Sequence, residues 1–401
     1  MRNYDVAIIG GGVIGCASAY FLAKAGVSVA IIERGQLNAG ASGRNAGSLH
    51  FQLEHRLIHN ETHLKAQLPH LIPLTLAAIE QWNTLEDELS CDIGLSMSGG
   101  VMVAETSEQI RLLERKAKLE NRYGLAVELL SAEETLARAP YLGETVQAAL
   151  YCREEGHCNP RLLTPAFARK AEALGADFFT DTAVMGLDKV GAGWNVSSRI
   201  RPGEKASERL EIRAEKVLNA SGAWAHEIAA MANIHLPIFP VALMMSVTEP
   251  VPVFLKHMVQ HVGRKLSLKQ VEDGNLLIGG GWSARLQQHA GKWISNAPAK
   301  LSLDALKSNL GVASEIVPAV NQLHLLRTWT GITGVTADQL PIVGQVDQTP
   351  GFYVAAGGSG FTFGPLYARL LSEEILTGLP SEALQPYSPA RFGHVNMYMG
   401  N

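Results

Sequence analysis

The chain has 401 residues, of which 47% are hydrophobic and 18% charged, and its formal net charge is −4. That length has room for two domains and a sizeable core. The mild negative charge, without any Lys/Arg run, argues against nucleic acid or an anionic membrane as partner and leaves a small molecule as the expected ligand.

The first predicted element is a βαβ unit over Asp5–Arg34. An apolar run Val6 to Ile9 reads as a strand, Gly10-x-Gly12-x-x-Gly15 as a tight turn that includes Val13 and Ile14, Cys16 to Ala25 as a helix and Val27 to Ile32 as a second strand. Gly10 permits the turn, Gly12 lets backbone approach a pyrophosphate, and Gly15 lets the helix pack on the strand with its N-terminal amides facing phosphate. Glu33 closes the second strand, where a carboxylate accepts hydrogen bonds from an adenosine ribose and repels a 2′-phosphate, so NADP is disfavoured. Residues 6 to 32 are the most apolar stretch, yet their glycines and Lys24 suit a buried βαβ unit rather than a membrane span. No leader pattern precedes Asp5, which predicts a cytoplasmic chain.

Next comes a small-residue stretch, Gly40 to Arg56, that turns into a helical pattern reaching about Leu89, with breaks expected near Pro69 and Pro73. His50, His55, His59 and His63 recur at helical spacing, but surface and packing histidines outnumber ligands and no metal is assigned to them. Leu95 to Glu105 has strand character around a Gly-Gly turn, and helical patterns follow over Glu108–Tyr123 and Ala132–Arg138. Cys152, His157 and Cys158 are close together, but the four cysteines form no C-x-x-C pair, so neither zinc nor an iron–sulfur centre is assigned.

From Glu154 to Val184 helix and strand alternate again, and "AEKVLNASGAWAHEIA" supplies a buried strand ending at Ala220-Ser221-Gly222. Between about Leu236 and Leu325 the pattern is strand-rich, with a hairpin at Asp273-Gly274. A last α/β piece covers Leu340–Gly378. The predicted fold class is α/β: a Rossmann-like nucleotide domain made of residues 1–50, 151–235 and 326–385, into which an α+β substrate domain on an antiparallel sheet is inserted as residues 51–150 and 236–325. Residues 386–401 form a tail whose Phe392, Val395, Met397, Tyr398 and Met399 suit either docking on the chain's own domain or a partner.

Four segments together resemble the FAD-dependent D-amino-acid oxidase, glycine oxidase and sarcosine oxidase superfamily: the turn Gly10–Gly15, "GASGRNAGS", "VLNASGAWA", and "RTWTGITGVTADQLPIVG" followed by "GFYVAAGGSGFTFGP". The resemblance spans nearly the whole chain and implies FAD as cofactor. It implies contacts from Gly10, Gly12, Val13, Ile14, Gly15, Glu33 and Arg34, and from the flavin-wrapping loop at Ala41, Ser42, Gly43, Arg44, Asn45, Gly47 and Ser48. Further contacts are implied at Val184, Ala220, Ser221, Gly222 and Trp224, and at Gly358, Gly360, Phe361 and Thr362. FAD is long, and the small residues of Gly40–Ser48 and Gly357–Gly364 suit burial of its ring. Pro365 marks a helix start whose positive end would stabilise negative charge on a reduced flavin.

Within that superfamily "LKQVEDGNLLIGGGW", Leu268 to Trp282, looks most like the flavoprotein subunit of opine oxidases. Its relatives there include flavoprotein chains of cyanide synthase, hydroxyproline dehydrogenase and heteromeric sarcosine oxidase. That likeness implies partner subunits carrying electron-transfer centres, with an FMN at a subunit interface as one form of such a centre. One departure stands out: glycine-oxidase-like members carry a carboxylate-binding arginine where this chain reads Gly331-Ile332-Thr333-Gly334, and none occurs from Gly357 to Tyr367. Arg44, Lys269 and Arg327 remain as substrate candidates, each with a structural alternative: backbone carbonyls for Arg44, the solvent face of a strand for Lys269, an interdomain tie for Arg327. The expected activity is hydride transfer to flavin from the carbon beside a secondary amine, for which no acid–base dyad is required and no catalytic residue is named. A stand-alone D-amino-acid or glycine oxidase using oxygen and a flavin-bearing electron-relay or structural subunit are the alternatives.

Overall fold

The structure, a computed structural model, describes residues 1–54, 68–201, 208–295 and 297–399. Val6–Ile9 and Val29–Ile32 are continuous apolar runs because both strands are buried on both faces, as central parallel strands are. They lie in an eight-stranded sheet whose main path runs Ile342–Gln345, Phe352–Ala356, Arg209–Asn219, Arg2–Ile9, Val29–Ile32, Asp177–Phe179. Pairing along this path is parallel except between Ile342–Gln345 and Phe352–Ala356. The hairpin Thr182–Val190 and Gly193–Ile200 branches from Arg209–Asn219. Helices Val13–Lys24, Pro160–Ala173 and Gly364–Thr377 cover one face, with Tyr20 and Phe167 rings 5.9 Å apart. On the opposite face a second core forms around Trp194 and Phe352.

A second eight-stranded sheet runs Leu325–Thr336, Ile238–Pro250, Asn275–Gly279, Ser267–Gln270, Met258–His261, Gly100–Ala104, Ala148–Cys152, Glu128–Ser131. All its pairs are antiparallel except that of Met258–His261 with Gly100–Ala104. Strand alternation splits its side chains: Val101, Val259, Leu268 and Ile278 bury against Val312, Ala313 and Ile316 of helix Leu303–Ile316. Met102 and Leu150, on the other face, share a core with Val13 and Leu366 of the nucleotide-side helices. The hairpin expected at Asp273-Gly274 joins Ser267–Gln270 to Asn275–Gly279.

Three expectations are corrected. Leu325–Thr336 and Ala148–Cys152 pair into the second sheet, so at both boundaries the chain leaves that sheet later than residues 326 and 151. The helix does not break at Pro73: it is continuous over Leu68–Leu89 with Pro73 inside it, while the chain before Leu68, where a break at Pro69 would show, lies outside the described residues. An interior proline costs about 3 kcal/mol, and burial of Ile72, Leu74, Trp82 and Leu85, at about 1.5–3 kcal/mol for each aliphatic side chain, outweighs it. His50 lies in an extended segment rather than on a helix, while His55, His59 and His63 fall outside the described residues.

The tail docks on its own chain as far as it is described. Phe392 is buried in the core with Ile9 and Ile342, and Asn396 exchanges two hydrogen bonds with the His235 backbone, at 2.7 and 3.1 Å. Arg391 donates to Asp338 and to the carbonyls of Leu340 and Pro341. Among the described residues no helix is long and apolar enough to cross a membrane.

Candidate functional site

The first strand delivers the chain into the glycine turn, where Gly10 has φ +113° and an added Cβ would lie 2.6 Å from the Ala220 carbonyl oxygen. At Gly15 a Cβ would sit 1.9 Å from the Gly10 carbonyl oxygen, so only glycine lets the helix start this close to the strand. Gly12 differs: its Cβ would meet only the Ser42 side chain, at 2.9 Å from the hydroxyl. That hydroxyl accepts from the Val13 amide at 2.9 Å, while the amides of Ile14 and Gly15 have no partner within the helix. Glu33 is fixed at the end of its strand by the amides of Gly11 and Gly35, each at 2.8 Å, and its carboxylate keeps lone pairs for further donors. Arg34 stacks over the Trp224 indole with its guanidinium carbon 3.8 Å from the ring centroid. The Glu33 carbonyl accepts from the Thr182 amide at the start of the strand that carries Val184.

Three other segments close on this turn. Ala220 donates to the Ile9 carbonyl at 2.9 Å, and Ser221 Oγ donates to Asn219 at 2.6 Å, before the 3₁₀ turn Gly222–Trp224. In the loop after Gly40, Ala41–Arg44 forms one helical turn, and Asn45 ties it down by donating to Ala41 and Ser42 and accepting from Gly47. A Cβ on Gly43 would lie 2.1 Å from the Asn38 carbonyl oxygen. Ser48 pairs with His157, and the Ser48 carbonyl accepts from Thr362 Oγ1 at 3.4 Å. Gly358–Thr362 is held from the other side by Trp82, whose indole donates to the Thr362 carbonyl at 2.7 Å and packs near Phe361. A Cβ on Gly360 would be 3.8 Å from Ile14, and one on Gly364 3.0 Å from Val13, so the helix starts at Val13 and Gly364 are neighbours. Neither start has a side-chain cap from its N-cap residue.

The arrangement therefore joins two helix N-termini that lack a cap from their own N-cap residues, a fixed carboxylate and a wrapping loop of small residues. Ser48 Oγ and His50 Nδ1 are buried in that loop without a partner among the described residues. Buried polar atoms normally have one, and a ligand rich in hydrogen-bonding edges, as a flavin dinucleotide is, fits these residues. Trp82 was not legible in the sequence, since a lone tryptophan on an amphipathic helix reads as core.

The three candidate cations separate. Arg44 donates to the Ala39 and Thr330 carbonyls at 2.8 and 3.3 Å, and Trp329 donates to the Arg44 carbonyl at 2.7 Å, so Arg44 ties the loop to the second sheet. Arg327 is exposed on the edge strand Leu325–Thr336. Lys269 is not on a solvent face: it is 2% exposed, and its Nζ has no partner among the described residues. Thr333, at the position where the arginine clamp is lacking, pairs with Val241 on the same strand as Arg327.

Burial pushes the Lys269 ammonium down to about 7, with Cys158 in electrostatic reach, and pushes the neighbouring His157 down to about 3. Because the folded value lies below that of the unfolded chain, the unfolded state holds a proton above pH 7 that the folded state sheds. Stability from this group thus rises with pH, by at most about 1.4 kcal/mol per unit. Above pH 9 the thiols of Cys16, Cys152 and Cys158, held protonated by burial, act in the opposite sense. Urea unfolding of the flavin-loaded protein at pH 7 and pH 9 is expected to show a gain of about 2 kcal/mol for the wild type over Lys269→Met. Parallel behaviour of the two proteins would contradict a buried, unpaired amine.

Beneath the loop lies a buried polar network that no motif announces. Glu155, fully buried, accepts from the amides of Phe51 and Gln52 and from the side-chain amides of Gln52 and Gln260, at 2.9–3.1 Å. Lys116 donates to Gln52 at 2.8 Å and to Glu120 at 2.7 Å, and Glu120 accepts from the Leu53 amide at 2.6 Å. Burial raises the Glu120 carboxyl above its ordinary range against the pull of Lys116. Together these groups hold Phe51–Leu53, which follows the wrapping loop.

Comparison with known proteins gives the same cofactor. The family described as FAD dependent oxidoreductase, DAO, matches residues 5–374. Glycine oxidase of Geobacillus kaustophilus is 30% identical over 398 residues, covering 97% of this chain and 97% of its own. An opine oxidase subunit of Rhizobium meliloti is 26% identical over 403 residues, covering 98% of each chain. Among solved structures, L-proline dehydrogenase from P. horikoshii superposes with a TM-score of 0.82 at 25% identity, over 98% of this chain and 99% of that one.

Proposed function

The chain belongs to the FAD dependent oxidoreductase family, and from that premise we propose that it oxidises the carbon–nitrogen bond of a secondary-amine amino acid, whether opine-like, proline-like or N-alkyl. When bound, the flavin accepts the hydride that leaves the carbon beside the neutral amine. The imine left on the substrate is hydrolysed by water. The protein's own part is to hold and orient. The amides of Ile14 and Gly15 would bind the diphosphate, Glu33 the ribose, Arg34 and Trp224 the adenosine end, and Ala41–Ser48 with Gly358–Thr362 the ring.

The observation that carries the substrate reading is the clamp position: Thr333 stands there, and the remaining cations of the second sheet are Lys269 and Arg327, on different strands. The relatives named for opine oxidase and for L-proline dehydrogenase support a secondary amine. The first of these, itself one subunit of its enzyme, also supports a role as the flavoprotein chain of a larger assembly. Purified chain, given an artificial electron acceptor, is expected to reduce it with N-alkyl amino acids or proline faster than with glycine or D-alanine. Reduction by glycine and D-alanine alone would favour a simple oxidase, and no reduction at all an electron-relay role.

A further inference from the structure

Between strand Asn275–Gly279 and helix Leu303–Ile316 the chain leaves the second sheet on a long excursion. Its neck is closed where Arg285 and Lys300 exchange backbone hydrogen bonds, each 2.8 Å long. Beyond the neck, residues 286–299 carry a short hairpin that pairs Gln288–His289 with Lys292–Trp293. None of the described residues in this stretch is buried, and none enters any of the three hydrophobic cores. A long connection that adds nothing to a core is ordered by something else, and such connections are usually functional. On the return limb the Ala299 carbonyl accepts from Thr330 Oγ1 at 3.1 Å, and the carbonyl of Thr330 receives Arg44 of the wrapping loop.

The rest of its fastening is to the turn beside the nucleotide strand. The Trp293 ring lies 5.7 Å from that of Trp224, inclined by 32°. Trp224 donates through its indole to the Ser295 carbonyl at 3.1 Å, and Ser295 Oγ donates to Glu227 at 3.0 Å. Trp224 in turn carries the Arg34 guanidinium over its ring, and Arg34 directly follows Glu33. A half-buried indole has several rotamers open to it, and time spent in an unproductive one subtracts from affinity. The Trp293 ring and the Ser295 carbonyl hold Trp224 in one of them. We propose that residues 286–299 are a clasp for the adenosine end of FAD, with Trp293 and Ser295 as positioning residues that act through Trp224 and Arg34 and set how firmly the cofactor is retained. The inference rests on the placement of the adenosine end at Arg34 and Trp224 and extends it to a loop of the second sheet.

The test is the dissociation constant of FAD, measured by diluting the flavin-loaded protein and assaying the flavin that passes a filter retaining the chain. Trp293→Ala is expected to raise it about tenfold, the upper end of what one aromatic pair contributes. Trp293→Phe, which keeps a ring against Trp224, is expected to recover most of that loss. Replacing residues 286–299 by Asn-Gly, a two-residue turn suited to the Arg285–Lys300 pair, is expected to raise the constant about tenfold or more. Flavin still bound to either point variant should keep the wild-type visible absorption spectrum, because the segments placed at its ring are untouched, whereas a general loss of packing would alter it. Wild-type retention in Trp293→Ala or in the shortened chain, a Trp293→Phe as weak as Trp293→Ala, or an altered spectrum in the point variants would overturn the proposal. Trp224→Ala reports on the broader placement: should it also keep FAD as the wild type does, the adenosine end lies elsewhere, whereas weakened retention there beside wild-type retention in Trp293→Ala would sink the clasp alone.

Discussion

Gly12→Leu is expected to give a folded but colourless protein, while Gly15→Ala is expected to lose both flavin and stability. At Gly12 the backbone is in an ordinary extended conformation, φ −81°, and the added Cβ meets only the movable Ser42 hydroxyl. A leucine there projects into the space assigned to the diphosphate, so the apo chain stays intact and the cofactor is excluded. At Gly15 the Cβ meets backbone, 1.9 Å from the Gly10 carbonyl oxygen, and the helix Val13–Lys24 must move off the sheet. Displacing a packed helix belongs at the top of the range for overpacking, about 3 kcal/mol. Flavin absorbance and urea unfolding of the flavin-free proteins separate the two cases. Full flavin occupancy in Gly12→Leu would remove the diphosphate from this turn.

The second large effect is expected at Lys116. Its ammonium and the Glu120 carboxylate are 1% and 0% exposed and 2.7 Å apart, so Lys116→Met leaves a buried carboxylate uncompensated. Breaking a buried pair from one side costs about 3–5 kcal/mol. Replacing both, Lys116→Met with Glu120→Leu, is expected to recover part of that loss but not all. The Leu53 amide and Gln52 Oε1 then lose their partners, and an unsatisfied buried group costs about 1–3 kcal/mol. Urea midpoints of the two variants check this. A single variant within about 0.5 kcal/mol of wild type, the usual tolerance of a surface position, would show that the pair is not buried in solution.

Why Lys116 and Glu120 escaped the sequence while Gly15 did not is a matter of physical range. The βαβ turn is local: glycine spacing, an apolar strand on each side and the carboxylate at Glu33 all act within one contiguous segment, and the observed elements follow it closely. The hairpin at Asp273-Gly274 and the helix Ala132–Arg138 were legible for the same reason, and the structure adds a capping box of Ser131 and Glu134 at the start of that helix. A Lys-x-x-x-Glu pair, by contrast, reads as a solvated helix surface. Only the packing of helix Ser107–Arg122 against residues far along the chain buries it. The continuity of Leu68–Leu89 through Pro73 likewise depends on tertiary burial overriding a local penalty. Lys269 lies between: alternation along Leu266–Gln270 separates its side from that of Leu266 and Leu268, but only the packing of the second sheet against the rest of the chain shows that this side is buried and not solvent-exposed.

The most direct measurement of the central claim is anaerobic bleaching of the bound flavin, because it reads the reductive half-reaction whatever the eventual electron acceptor. Secondary-amine amino acids, including sarcosine, proline derivatives and N-(carboxyalkyl) amino acids, are expected to bleach the flavin, with glycine and D-alanine slower. Bleaching by glycine or D-alanine with none by any secondary amine would contradict the account.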